Sequence, residues 1–158
     1  MKAATVKQLK DELSNCSKEE LLDYCLRLSK FKKENKELLT YLLYDIDNEH
    51  IYIEDVKAEV DEQFTEINTD SFFYIKKSVR KILRNTKKYI RYSKKKETDV
   101  ELRLHFCKKL VDFEPSIEDN LTLMNLLERE INSIKKTIKS LHEDLQYDYL
   151  EEISDLEF

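Results

Sequence analysis

Glycine is absent from this chain of 158 residues, where average usage of about 7% would place roughly eleven. Its absence excludes Gly-rich phosphate loops, the dinucleotide fingerprint and the Gly-dependent nucleophile elbow. Each of these needs a close backbone approach or a positive φ that glycine supplies at least cost. Proline occurs once, at Pro115, so little interrupts helix formation. Cysteine is scarce: Cys16, Cys25 and Cys107 form an odd, scattered set with no Cys-x-x-Cys pair. That usage fits reduced thiols packed as small hydrophobes in a cytoplasmic protein, not a secreted disulfide framework. No uncharged apolar run approaches the ~18 residues needed to span a bilayer. The N-terminus, Met1-Lys2-Ala3-Ala4-Thr5, passes straight into charged sequence without the apolar core of a signal peptide. The expectation is a cytoplasmic protein with no membrane partner.

Catalytic constellations are equally sparse. His50, His105 and His142 are far apart, and none sits in a His-Glu-x-x-His frame. His105 and Cys107 are two residues apart and point to different faces of a helix. The stretch Asp45-x-Asp47-x-Glu49 imitates half a calcium loop, but His50 stands where glycine is needed and Val56 where the bidentate Glu belongs. No Glu-x-x-His motif is present for a di-iron bundle, and no local signature marks a nucleophilic cysteine. The sequence therefore points to no enzyme, no catalytic residue, no cofactor and no metal site.

What is present is amphipathic helix. Thr5 with Gln8 and Ser17 with Glu20 have capping-box spacing and open two short helices, an N-terminal hairpin. A third helix runs from about residue 35 to 47 or 48, and a fourth carries Ile53, Val56, Val60, Phe64 and Ile67. A fifth spans residues 71–96. Thr98 with Glu101 opens a sixth, and Ser116, after Pro115, opens a seventh. On that last helix Met124, Leu127, Ile131, Ile134, Ile138, Leu141 and Leu145 recur at alternating 3 and 4, a heptad seam about three heptads long. The expected fold is all-α: six to seven amphipathic helices in an irregular array of antiparallel hairpins, solenoid-like or bundled, ending in a long heptad helix. Residues 1–146 read as one domain. Residues 147–158 read as an acidic tail that can dock through Tyr149, Ile153 and Phe158. The uneven helices and missing glycine stops favour a monomer over a homodimer.

Charge is segregated along the chain. Residues 1–70 carry net −7, residues 71–96 carry eleven Lys and Arg with no acid, and residues 97–158 carry net −9. At 100° per residue, an apolar stripe on the fifth helix (Phe72, Ile75, Val79, Ile82, Leu83, Thr86, Tyr89, Ile90) separates from a basic sector. That sector holds Lys76, Lys77, Arg80, Lys81, Arg84, Lys87, Lys88 and Arg91, with Lys94 and Lys95 beyond, Phe73 inside it and Tyr92 and Tyr74 at its border. Such a face holds an anionic partner, with aromatic rings available for anchoring or stacking. The preceding residues 45–70, with ten acids and one lysine, can instead neutralise its flanks.

The block Ser78-Val79-Arg80-Lys81-Ile82-Leu83-Arg84-Asn85-Thr86-Lys87-Lys88-Tyr89-Ile90-Arg91-Tyr92, with Leu104-His105-Phe106-Cys107 after it, resembles a family of short uncharacterised bacterial all-helical proteins. The opening from Leu13 to Leu28, with Ser17-Lys18-Glu19-Glu20-Leu21-Leu22, is similar to the same family. The resemblance covers residues 5–113 and implies a helical fold without a catalytic residue. The expected function is a non-enzymatic binding or scaffold protein that engages an anionic protein partner through Lys76, Lys77, Arg80, Lys81, Arg84, Lys87, Lys88, Arg91, Phe73 and Tyr92. A nucleic acid on the same face is the alternative.

Overall fold

The computed structural model describes residues 1–156; Glu157 and Phe158, the latter one of the tail's expected docking side chains, lie outside the described residues. Among the described residues there are eight α-helices, one π-helical turn and no strand. The chain is all-α, with more helices than the six or seven that periodicity implies. It divides into two compact units, Met1–Tyr44 and the residues from Asp45 onward.

The first unit holds α1 (Val6–Leu13), α2 (Lys18–Phe31) and α3 (Lys33–Thr40), after which a π-helical turn covers Tyr41–Asp45. Both capping boxes form. Thr5 Oγ1 accepts from the Gln8 backbone N–H at 3.3 Å, and Gln8 Oε1 accepts from that of Thr5 at 2.9 Å. Ser17 and Glu20 repeat the exchange at 3.1 and 2.8 Å, so the first orphan donors of each helix are satisfied locally. Helix α2 packs on α3, and Asn35 Nδ2 donates to the Leu28 carbonyl at 2.8 Å. Within the unit only Ser29 and Tyr41 are buried.

The second unit is built around one helix. It contains α4 (Glu49–Thr65), α5 (Phe72–Ser93), α6 (Lys96–Val111), α7 (Leu121–Ile138) and α8 (Glu143–Ser154). Helix α6 packs against α4, α5 and α7, while α4 also meets α5 and α8 meets α7. Thr98, Val100, Leu102, Leu104, Phe106, Cys107 and Leu110 of α6 are buried, and no residue from Thr98 to Val111 is fully exposed. A helix covered on all sides must satisfy its polar side chains internally. Phe64 of α4 stacks on Phe106 at 5.7 Å, and Ile75, Val79, Leu123 and Ile134 complete the core at or near zero exposure.

Three expectations need correction. Thr98 does not cap the sixth helix, which begins at Lys96. Its hydroxyl instead donates to Glu49 Oε1 at 2.6 Å, and Glu49 also accepts from Ser93 Oγ and from Lys95 Nζ. The tight α5–α6 turn, with Lys94 in the left-handed region (φ 59°), carries the chain into α6 before Thr98 is reached. Ser116 does not open the next helix either. Ile117 is drawn fully into the core, and α7 starts at Leu121 with Asn120 Oδ1 accepting from the Leu123 N–H at 3.1 Å.

The long heptad helix is two helices. The chain turns after Ile138, where Leu141 N–H bonds to the Ile138 carbonyl and Gln146 Nε2 caps the Leu141 carbonyl at 2.7 Å. His142 Nδ1 then accepts from the Asp144 N–H at 3.3 Å to begin α8. The turn lets α8 fold back, burying Tyr149 and Ile153. The seam is also rotated: α7 buries Leu123, Leu126, Leu127, Glu130, Ile134 and Ile138, whereas Ile131 is only half-buried.

Two measurements check this packing. Ile134→Asp places an unpaired carboxylate in the core and should unfold the unit, a cost of several kcal/mol, while Ile131→Asp should cost only about 1–2 kcal/mol in a urea titration. The thiol of Cys107 is pushed up to about 12 from 9.0, by burial first and by the nearby Glu130 second, with Arg103 opposing. The unfolded chain loses this proton near pH 9 while the fold retains it, so stability falls as pH rises from 9 toward 12. The melting midpoint should therefore drop between pH 8 and pH 10.5, and Cys107→Ala should shrink that drop.

Candidate functional site

Helix α5 owes its position to its apolar stripe. Ile75, Val79, Ile82, Leu83, Thr86 and Ile90 are buried, and the Thr86 hydroxyl is satisfied by the Ile82 carbonyl at 2.9 Å. With that stripe turned inward, the opposite sector points to solvent. Lys77, Arg80, Lys81, Arg84 and Arg91 are exposed, and Lys76 is half-exposed. Among the described residues, none of these six cations forms an ion pair.

The acids of α4 are directed elsewhere. Asp61 meets His105 Nε2 at 2.7 Å and Lys109 Nζ at 3.5 Å, both on α6. Glu54 pairs with Lys57 of its own helix, and Glu59 accepts the Tyr89 hydroxyl at 2.9 Å. Glu49 reaches Lys95, just beyond α5, at 3.0 Å. The basic sector of α5 therefore keeps a single sign along its length.

The structure separates the ten expected contact residues into groups. Arg80, Arg84, Lys87 and Arg91, spaced 4, 3 and 4, line a groove of about 630 Å³ between α5 and α7. Across the groove stand Arg129, Asn132 and Ser133 of α7, with Leu83, Leu126 and Glu130 at its base. Phe73, Lys76, Lys77 and Lys81 gather with Tyr74 in an adjoining open cavity of about 780 Å³, which shares Arg80 and Arg84. Phe73 is 68% exposed and Tyr74 46%, their rings edge to face at 5.5 Å. Lys88 lies over the Tyr89 ring at 4.6 Å and Tyr92 stacks edge-on against the same ring at 5.9 Å, so these two belong to the α4 side of the helix.

Lys87 is the exception within the groove, because it is an anchor. Its Nζ meets Glu130 Oε1 at 2.6 Å. Glu130 is buried and also accepts from Arg103 Nη1 of α6; Arg103 Nε in turn donates to Asp99, whose other oxygen takes the Thr137 hydroxyl at 3.5 Å. Burial works against the Arg103 charge, but its bonds to Asp99 and Glu130 more than offset this and hold its pKa above the ordinary arginine value. One carboxylate thus ties α5, α6 and α7 together under the groove.

Sequence reasoning missed Arg129, Asn132 and Ser133. Arg129 Nε donates to the Asn125 carbonyl at 3.2 Å, which holds the guanidinium along its own helix on the groove wall. The signal for it is positional: Arg129 precedes the buried Glu130 on α7, and only the adjacency of α5 and α7 gives it meaning.

A second polar cluster occupies the opposite side of α6. Lys57, Glu101, His105, Lys108, Tyr149 and Glu152 surround a pocket of about 300 Å³. Lys57 and the Tyr149 hydroxyl bond to Glu101 at 3.0 and 3.3 Å, and Lys108 to Glu152 at 2.6 Å. Burial and the neighbouring Glu101 push the Tyr149 pKa up. These groups join α4, α6 and α8. No helix among the described residues is long and apolar enough to cross a membrane. No family model, curated protein or solved structure matches this chain.

Charge reversal separates face from anchor. Arg80→Glu, Arg84→Glu and Arg91→Glu together should leave the melting midpoint within a few degrees of wild type, because exposed charges contribute only about 0–1 kcal/mol each. Lys87→Glu, which sets a second carboxylate against buried Glu130, should cost about 3 kcal/mol or more in the same denaturation experiment.

Proposed function

We propose that this is a non-enzymatic binding protein that holds an anionic protein partner in the groove between α5 and α7, an acidic helix being the segment that fits it best. One observation carries the reading. Arg80, Arg84, Lys87 and Arg91 form a straight 4-3-4 row about 16 Å long, opposed by Arg129, and the four guanidinium groups in the groove have no ion-pair partner among the described residues. A helix bearing Glu or Asp at the same 3 and 4 spacing presents a matching row of carboxylates. Guanidinium forks recognise carboxylates bidentately, which lysines do not. Residues 78–92, on which the resemblance to short bacterial helical proteins rests, are the groove-lining part of α5. The three cysteines are free of disulfides, which supports a reducing, cytoplasmic setting for such a partner.

A second reading rests on Phe73 and Tyr74. Two exposed rings beside Lys77 and Lys81 suit single-stranded nucleic acid, whose bases stack on aromatic side chains while cations track the phosphates.

Fluorescence anisotropy distinguishes the two. A labelled helical peptide with Glu at 4-3-4 spacing should bind in the near-millimolar range at about 150 mM salt and more tightly as salt is lowered. Its Gln counterpart should not bind, and Arg84→Glu with Arg129→Glu should weaken binding about tenfold or more. Indifference to the Glu peptide, together with submicromolar binding of single-stranded DNA at about 150 mM salt and a steep log–log salt slope, would overturn the protein reading in favour of nucleic acid.

A further inference from the structure

The unit Met1–Tyr44 specifies its helices without giving them a core. Helices α1 and α2 each start from a complete capping box, yet only Ser29 and Tyr41 of the unit are buried. Val6, Leu9 and Leu13 form one stripe on α1, and Leu22 and Leu26 sit on one face of α2; these five side chains are 42% to 83% exposed. Helices shorter than about 12–15 residues are marginal in water alone, and α1 has eight. Its order depends on a surface that covers the stripe.

We infer that the covering surface is a second copy of this chain, with α1 and α2 forming a two-fold self-association face. The first argument is charge. Residues 1–44 carry nine Lys and Arg against seven Asp and Glu, while residues 45–158 carry 19 against 26. Two copies therefore meet through the nearly neutral part of the molecule. Within α1 the signs are segregated, from Lys7 and Lys10 to Asp11 and Glu12; α2, after Lys18 at its first position, runs from Glu19, Glu20 and Asp23 to Arg27 and Lys30. Any helix whose charge reverses along its length is complementary to its own antiparallel copy, the arrangement a two-fold axis imposes. On α1 the order also opposes the helix dipole, which disfavours acids in the last turn; an antiparallel neighbour reverses that penalty.

The second argument is area. The five stripe residues together expose on the order of 500 Å², beyond what scattered surface hydrophobes account for. Full burial of all five side chains on both copies removes on the order of 1,000 Å², the lower limit for a specific interface. The α7 seam offers no competing dimer surface, because Leu127, Ile134 and Ile138 are buried within the chain. This inference does not rest on the α5–α7 groove.

Sedimentation equilibrium of the full chain from about 1 to 50 μM tests it. The wild-type mass should rise toward twice 19.1 kDa, and Leu9→Glu with Leu22→Glu should return it to the monomer, with a loss of helical circular dichroism no larger than α1 and an unchanged urea midpoint for the unit from Asp45 onward. A charge pair guards against misfolding of that variant. Lys7→Glu with Lys10→Glu should weaken the dimer about tenfold, and adding Asp11→Lys with Glu12→Lys should restore it. A monomeric wild type at 50 μM overturns the inference. So does a dimer indifferent to all these changes, or a monomer that cosediments through this stripe with vesicles of phosphatidylcholine and phosphatidylserine, which would make the face a lipid contact.

Discussion

Helix α6 cannot turn a face to water, and it is nonetheless heavily charged. Asp99, Glu101, Arg103, His105, Lys108 and Lys109 all lie on it half-buried, where an unpaired charge costs several kcal/mol. Each meets a partner, and most partners come from a different helix: Lys57 and Asp61 from α4, Glu130 from α7, Glu152 from α8. These pairs constrain rotation more than they add stability. Turning α7 by one residue would bring Ile131 inward in place of Glu130, leaving Arg103 short of a partner and Lys87 without one. The buried stripe of α7 therefore accepts a carboxylate where a heptad reading puts isoleucine.

The same constraint produces the basic face of α5. Asp61 of α4, the acid placed to neutralise a basic neighbour, is engaged by α6. Helix α5 approaches α6 through an apolar stripe, and of its cations Lys87 is the one that reaches buried Glu130. Arg80, Arg84 and Arg91 are left on a groove wall whose opposite side adds Arg129. The basic groove wall is a consequence of how charge is used in the core, and Glu49 of α4 meets a cation only just past the end of α5, at Lys95.

Much of this was legible at the level of one helix and little of it between helices. The stripe and basic sector of α5 follow from a 3.6-residue period, and the capping boxes of α1 and α2 from residue type at fixed spacing. Glu130 was not legible, because a buried acid inside an apolar run looks like a solvent position until Arg103 and Lys87 are seen around it. The break between α7 and α8 escaped for a related reason. Its caps are a histidine ring and a glutamine amide, neither of which is a usual stop or start signal, and no glycine marks it. Arg129 entered the site through helix adjacency, which periodicity does not encode.

The groove has limits that bear on how it works. Its wall cations are solvated and screened over about 8 Å at physiological salt, and Leu83 and Leu126 at its base are nearly buried already, so little new apolar contact is offered. Four or five exposed ion pairs at about 0–1 kcal/mol each give an association that is rapid, salt-sensitive and weak. A partner held by one groove alone would dissociate readily. Two grooves carried by a self-associated pair, as inferred above, would change this without any new contact, because the second engagement would become intramolecular and draw on an effective concentration that can reach the millimolar range. The two proposals are then complementary: an apolar face that joined copies would supply valence, and a basic face that held an acidic segment would supply recognition too weak to act singly.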